Sequence, residues 1–301
     1  MRQMAREAGQ LLTATLAAWS SHRCSRMAAA LAYYTVFALA PLLVIAIGVA
    51  GLAFGTQAAQ GQIVAEIEGL VGHESASLIQ TLVLKASEPR ASWVATVFGV
   101  IMLIAGASGV FAELQDALTL IWGAEVAPRR GLRDLFINRL FAFALVLALG
   151  GLLIASLFLT STLARLSHIV ESLAPSTLAL SQWFNQAATI ALTALLFGIV
   201  FKVLPRVKTP WRDVWPGAIL TALLFALGRY VIGLYLSRVT ITSSFGAAGS
   251  LVTLLLWVYY SAQVFFLGAE FTQVYAQRRK TLALKITAEN TENTKHVSKT
   301  P

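Results

Sequence analysis

The chain has 301 residues, of which 57% are hydrophobic and 12% charged, and its formal net charge at pH 7 is +9. The apolar share exceeds that of soluble domains and is typical of polytopic membrane proteins. The single cysteine, Cys24, excludes an intramolecular disulfide and a cysteine-based zinc site. A basic balance alone would suggest a nucleic-acid partner, so the distribution of the positive residues decides its meaning.

Residues 1–26 predict a cytoplasmic amphipathic helix. Arg2 and Arg6 are set off from apolar residues that recur at helical spacing. These apolar residues are Met4, Ala8, Leu11, Leu12, Leu16 and Trp19. Such a helix fits either the headgroup region of a membrane or the protein's own cytoplasmic loops, and the sequence leaves both open.

Six later stretches are long and apolar enough to cross a bilayer, because about 20 helical residues cover its ~30 Å core. The predicted spans are about 28–54, 93–121, 140–163, 183–204, 214–236 and 251–275. We therefore predict an all-α, polytopic integral membrane protein with a six-helix domain at 27–280. A short helical extracytoplasmic loop region follows the first span, and residues 281–301 predict a disordered cytoplasmic tail. The first apolar run is a full span, so we expect no cleaved signal peptide.

Two prolines refine these spans. Pro41 should kink the first span, because proline removes a backbone donor. Pro216 falls in the first turn of the fifth span, where proline is tolerated, and Asp213 just before it is the predicted N-cap.

The positive residues follow the predicted topology. Six spans place both termini on one side, and 18 of the 23 Lys and Arg residues fall on that side. Four fall on the opposite side, and Arg229 lies within the fifth span. The positive-inside rule makes the richer side cytoplasmic. The net charge therefore needs no nucleic-acid partner, although attraction to anionic lipids follows from it.

The sixth span carries the main candidate site. Tyr259, Gln263 and Glu270 share one face, and a carboxylate in a membrane helix normally faces a bundle interior or a wet cavity. By topology, further polar residues reach the same cytoplasmic half, although the sequence sets their depth and not their face. The predicted polar cluster consists of Tyr33, Tyr34, Glu113, Gln115, Asp116, Tyr259, Gln263 and Glu270.

Alternatives stay open for several of these residues. The two tyrosines also fit interfacial anchors, and Glu113 and Asp116 also fit the wet membrane interface. Arg229 is the candidate counter-ion, yet it lies deeper toward the outer side. A pair between Arg229 and Glu270 would need a long reach or a water chain, or Arg229 snorkels outward.

Four blocks of the sequence resemble the YihY/BrkB family of bacterial inner-membrane proteins, over about residues 20–280. The blocks are AAALAYYTVFALAP, SGVFAELQDALTLIWG, WRDVWPGAIL and LLWVYYSAQVFFLGAEF. The resemblance implies a six-helix, multi-pass protein of the bacterial inner (plasma) membrane, with members suspected of moving lipids or ions. It also brings an old ribonuclease BN label, but no agreed activity and no catalytic motif.

The residues argue against the ribonuclease label. A metal-dependent nuclease needs clustered histidines and acids in a soluble site. The histidines at 22, 73, 168 and 296 are isolated in sequence, and the predicted cytoplasmic loops are too short for a nuclease domain. We expect no enzyme, no catalytic residue, no metal and no cofactor.

The leading functional hypothesis is transport or flipping of a lipid or other amphiphile through the polar cluster, because intramembrane acids indicate function by default. In a second hypothesis, Glu113, Asp116 and Glu270 carry protons or cations. In a third, the acids only fix helix register in a structural or regulatory membrane protein. The expected partners are membrane lipids and an amphiphilic substrate or ions. The sequence names neither the substrate nor the oligomeric state.

Overall fold

The computed structural model describes residues 2–55, 73–86, 109–124, 178–205, 209–238 and 247–297, with residues 57, 60, 61, 63–65, 68 and 207 between them. Within these ranges every regular element is helical and no strand occurs, as the predicted fold class requires. The helices are α1 (Arg2–Ser21), α2 (Cys24–Phe54), α3 (His73–Ala86), α4 (Leu178–Val203), α5 (Trp211–Arg238) and α6 (Ala247–Val297). Residues 109–121 form a further helical segment.

Three helices of the described part are long and apolar enough to cross a membrane. The qualifying windows are Gln186–Val203 in α4, Trp211–Val231 in α5 and Leu251–Leu282 in α6. They coincide with the fourth, fifth and sixth predicted spans. Helix α2 covers the first predicted span without interruption. The third predicted span and residues 93–108 of the second lie outside the described residues.

Helices α5 and α6 are antiparallel and pack in very close contact. Each helix contributes one glycine and, four residues later, one threonine to this contact. Gly217 and Thr221 of α5 meet Thr272 and Gly268 of α6, so that each glycine faces a threonine. Each threonine hydroxyl donates to the carbonyl of the glycine four residues earlier, at 2.6 Å for Thr221 and 2.7 Å for Thr272. A Cβ at either glycine would overlap the facing hydroxyl. Small residues spaced four apart are the usual way for membrane helices to approach this closely.

The same helix pair stays close further along. Gly228 of α5 lies against the ring of Tyr260 on α6, and the Tyr260 hydroxyl donates to the Leu224 carbonyl at 3.0 Å. The Tyr260 side chain is half-buried, and the Leu224 carbonyl supplies the hydrogen-bond partner that hydrocarbon cannot give its hydroxyl. The contact fixes the rotation of α6 about its axis relative to α5.

Helix α2 runs antiparallel to α6. The core of the described residues forms two hydrophobic clusters, and α2 and α6 contribute to both. At the end where α2 begins, Cys24 and Leu31 pack with Phe266 of α6, Leu118 of the 109–121 segment and Phe201 of α4. At the other end, Ile47 of α2 packs with Leu254 and Trp257 of α6 and with Ile79 and Val83 of α3. By the predicted topology, the first cluster is the cytoplasmic one.

Three predictions from the sequence can be compared with the helix boundaries in the structure. Helix α5 begins at Trp211, so Asp213 lies inside its first turn instead of at the N-cap, and its carboxylate pairs with Arg279. Helix α2 continues past Pro41, and the predicted kink there stays a prediction. Helix α6 continues to Val297 through the residues that predict a disordered tail. Leu282 and Leu284 there are 52% and 71% exposed, and disorder of the tail stays a prediction.

Candidate functional site

The corner between α1 and α2 places two side chains that the sequence analysis did not select. Helix α1 ends at Ser21, and Arg23 adopts the left-handed conformation with φ of 55°, which is uncommon for a residue other than glycine. The turn is held by hydrogen bonds from the His22 and Arg23 amides to carbonyls of α1. Because helix α2 restarts at once, His22 and Cys24 are both brought against α6.

Glu270 of α6 is the partner of both residues. Its side chain is fully buried, and its Oε1 lies 2.6 Å from His22 Nδ1. The Cys24 thiol donates to the same oxygen at 3.4 Å. The second oxygen, Oε2, is buried and has no hydrogen-bond partner among the described residues. A carboxylate that is buried and only half satisfied is costly, which makes Glu270 a functional candidate.

His22 connects the buried acid with the surface. Its side chain is 30% exposed, whereas that of Glu270 is 0% exposed. The His22–Glu270 contact therefore joins the buried carboxylate to a partly exposed side chain at the corner between α1 and α2.

The Cys24 thiol, which contacts Glu270, is fully buried and therefore inaccessible to solvent. Burial raises the pKa of this thiol, and the neighbouring Glu270 raises it further. Because the thiolate is the reactive form, a raised pKa keeps Cys24 protonated and inert at pH 8.

We expect native Cys24 to react with N-ethylmaleimide at pH 8 at least ~10-fold more slowly than an exposed cysteine, because the thiol is fully buried and its raised pKa lowers the thiolate fraction. The comparison is a Cys24→Ala, Ser20→Cys variant, in which the thiol lies on the exposed face of α1. Mass spectrometry of the alkylated protein follows both rates. Equal rates in the two folded proteins would contradict a buried Cys24.

Helix α1 is anchored to α6 at a second place. Arg278 donates from Nη1 to the Glu7 carbonyl at 3.0 Å, and its Nη2 lies 3.5 Å from Gln10 Oε1. Leu12 and Leu16 of α1 remain 52% and 55% exposed. The helix thus contacts the bundle on one side and presents leucines on another.

The acids of the 109–121 segment have partners of their own. Glu113 is half-buried and interacts electrostatically with Asp116 and with Arg26 of α2. Gln115 is buried, with 9% of its surface exposed. Glu113 and Glu270 therefore each interact with a different residue of the first turn of α2.

The remaining members of the predicted cluster are dispersed along α2 and α6. Tyr33 is 59% exposed and Tyr34 37%, and the ring of Tyr34 packs over Gly109. Tyr259 is half-buried against the cytoplasmic core cluster. Gln263 is half-buried, and its Oε1 has no hydrogen-bond partner in the described part of the chain. One shared site for all eight residues stays a prediction.

Arg229 lies apart from Glu270, in a small groove between α4 and α5. Its neighbours there include Gln186, Thr189 and Thr193 of α4, together with Phe225 of α5. The groove has a volume of about 40 Å³. Arg229 and its three polar neighbours all fall within the membrane-spanning windows of their helices. Arg229 is half-buried, so it can meet a group that enters the groove.

The sequence offered a signal for His22 and Cys24. Both immediately precede the first predicted span, at the depth already assigned to Glu270. We did not select His22 and Cys24 because they lie far from Glu270 in the sequence. Residues on different helices can be in contact without any regular spacing in the sequence. Among the described residues, no group of three or more His, Cys, Asp or Glu side chains is arranged to hold a metal ion.

The long apolar helices, their glycine-mediated packing and the buried intramembrane carboxylate define a helical integral membrane protein. Residues 15–293 match the family described as Virulence factor BrkB, and the chain belongs to that family. The resemblance drawn from the four sequence blocks is therefore confirmed.

Relatives with similar sequences are described as UPF0761 membrane proteins. One from Azoarcus sp. (strain BH72) is 30% identical over 265 residues, which cover 84% of this chain and 60% of that protein. One from Teredinibacter turnerae is 27% identical and covers 84% and 57%, and one from Yersinia pestis is 29% identical and covers 61% and 60%. The chain thus spans about 60% of the length of these relatives. No solved structure matches it.

Proposed function

We propose that this protein moves a lipid or other amphiphile across the bacterial inner membrane, as a multi-pass protein with both termini in the cytoplasm. Membership of a membrane-protein family and three long apolar helices support the location. In this role the protein has no catalytic residue and no nuclease activity. The protein's partners are membrane lipids and the transported amphiphile.

The observation that carries the proposal is the groove around Arg229. Four polar side chains from two membrane-spanning helices converge there, and the guanidinium of Arg229 is a group that hydrocarbon could not solvate. Arg229 follows Trp211 by 18 residues, or about 27 Å along α5, so it lies toward the outer leaflet under the predicted topology. A guanidinium at that depth suits the negative headgroup of an amphiphile, which it can hold by charge-assisted hydrogen bonds.

We expect Arg229→Gln to slow lipid translocation in proteoliposomes at least about tenfold, because it removes a charge-assisted interaction. Fluorescent lipids with a headgroup label are followed by adding a membrane-impermeant quencher. The matched control is Arg212→Gln, which removes the same charge from the exposed start of α5, outside the groove. Equal rates in wild type and both variants would remove Arg229 from the pathway.

A second candidate function, proton- or cation-coupled transport, is favoured by the pair formed by Glu270 and His22. The carboxylate is fully buried, and the imidazole that contacts it reaches the surface. Chains of acids and histidines at membrane depth are the usual parts of proton relays. In this second proposal, Glu270 takes up and releases the coupled proton or cation, and the groove around Arg229 need not take part.

A further inference from the structure

Helix α1 carries an apolar face that the rest of the protein does not cover. Leu12 and Leu16 lie four residues apart, so they share one face of the helix, and they are 52% and 55% exposed. Thr15, between them in the sequence, is buried, so α1 packs against the bundle on a different side. Water is an unfavourable neighbour for the two leucines.

Two contacts fix the position of α1 along α6. His22, directly after α1, contacts Glu270, and the Glu7 carbonyl accepts a hydrogen bond from Arg278. The path from Glu270 to Arg278 is about 12 Å along α6, whereas the path from Glu7 to His22 is about 22 Å of helix. Helix α1 is therefore strongly inclined to α6 and does not run parallel to it.

This inclination keeps α1 close to the membrane surface. Counted from Leu251, where the sixth apolar stretch begins, Glu270 lies about 28 Å along α6, close to the limit of a ~30 Å hydrocarbon core. Between the two contacts, Leu16 and Leu12 fall roughly 5 and 8 Å beyond Glu270, at the depth of the lipid headgroups. A helix that lies in the membrane interface buries its apolar face about 5–10 Å into the boundary between headgroups and acyl chains. By the predicted topology, this is the cytoplasmic leaflet.

The charges of α1 complement an anionic surface. The helix contains Arg2, Arg6 and a single acid, Glu7, and Arg23 follows at the corner to α2. Arg6 and Arg23 are exposed. At 100° per residue, Arg6 lies about 80° around the helix from Leu16, so it stands beside the leucine face, as the cations of interfacial helices do.

We infer that Leu12 and Leu16 insert into the cytoplasmic leaflet and that Arg6 and Arg23 bind anionic lipid headgroups beside them. Three observations favour anionic phospholipid: the chain spans a bilayer, the leucines fall at headgroup depth, and the nearby charge is positive. Helix α1 then rests on the membrane with one face and on α6 with another. This surface is separate from the groove around Arg229 and does not require that the protein transports lipid.

The test places an environment-sensitive NBD fluorophore on a single cysteine of the full chain in vesicles of phosphatidylcholine and phosphatidylglycerol. The variant is Cys24→Ala, Leu16→Cys. The matched control is Cys24→Ala, Ala14→Cys, because Ala14 is exposed on nearly the opposite side of α1. We expect phosphatidylcholine with a nitroxide near the top of its acyl chain to quench the label at least about threefold more strongly in Leu16→Cys than in Ala14→Cys.

The lipid charge is tested with the same label. Replacing phosphatidylglycerol by phosphatidylcholine should lower the quenching in Leu16→Cys, because the arginines lose their anionic partners. Adding Arg6→Gln and Arg23→Gln should remove most of that difference, whereas Glu7→Gln, which removes the acid of α1, should keep it.

Equal quenching of the label in Leu16→Cys and Ala14→Cys would overturn the inference. A blue-shifted label in Leu16→Cys that the spin-labelled lipid does not quench would also overturn it, because a second copy or another part of the chain would then cover the leucines. Quenching that is the same with and without phosphatidylglycerol would contradict the binding of anionic headgroups.

Discussion

Replacing Gly268 by alanine is expected to lower the free energy of unfolding by about 2 kcal/mol or more, near the middle of the range for overpacked interiors. The added methyl would overlap the Thr221 hydroxyl, which is held in place by its bond to the Gly217 carbonyl. Helices α5 and α6 would then have to separate along their whole contact. Thermal unfolding in detergent, read by the fraction of protein that stays monodisperse, measures the effect.

Gly198→Ala is the matched control for this change. Its new methyl would lie 3.6 Å from the Ala218 side chain, which is ordinary van der Waals contact. We expect the control to unfold at the wild-type temperature or above, because alanine favours a helix over glycine. Removing the facing hydroxyl in a Gly268→Ala, Thr221→Ala double variant should restore part of the loss. Equal stability of the two single glycine variants would refute the close packing of α5 and α6.

Under the proton-coupled alternative, Glu270→Gln is expected to slow the protein-dependent collapse of an imposed pH gradient by roughly 100-fold, the lower end of what a positioned proton-transfer group contributes. Glutamine keeps the size of the side chain and can still contact His22, but it cannot take up or release a proton. A pH-sensitive dye trapped inside proteoliposomes records the collapse.

Glu7→Gln serves as the matched control, because Glu7 is an exposed acid of α1 whose carbonyl, and not its carboxylate, bonds to Arg278. It should leave the rate unchanged. His22→Gln should slow the collapse as Glu270→Gln does, since it removes the surface end of the same relay. If the wild type collapses the gradient no faster than empty vesicles, the proton-coupled alternative fails, whereas lipid movement is unaffected by that result.

The helices were predictable because their signal is local. Long apolar runs, broken by charged connectors, mark the fourth and fifth spans within a few residues of α4 and α5, and the sixth span within a few residues of the start of α6, which continues to Val297. The N-cap prediction for Asp213 was wrong, because helix α5 already begins at Trp211. The Asp213 carboxylate pairs instead with Arg279, which lies 66 residues later, and no local pattern encodes that pair.

The candidate site was predictable only in part. Glu270 stood out because a lone acid in a membrane helix must be accommodated, and its side chain is fully buried. Its partners His22 and Cys24 follow from how α1 turns into α2, which depends on a left-handed residue at Arg23 that the sequence does not signal. The reciprocal contact between GAILT at 217–221 and GAEFT at 268–272 likewise becomes visible only when α5 and α6 are placed side by side.

The rate of lipid translocation by the unmodified chain tests the central proposal most directly. Purified wild-type protein is reconstituted at about one copy per vesicle, and the fraction of headgroup-labelled lipid that a quencher cannot reach is followed over time. The proposal predicts that labelled lipid in protein-containing vesicles exchanges between leaflets much faster than in empty vesicles, with Arg229→Gln close to the empty rate. Identical slow exchange in wild-type and empty vesicles would contradict amphiphile transport and leave proton coupling or a structural role.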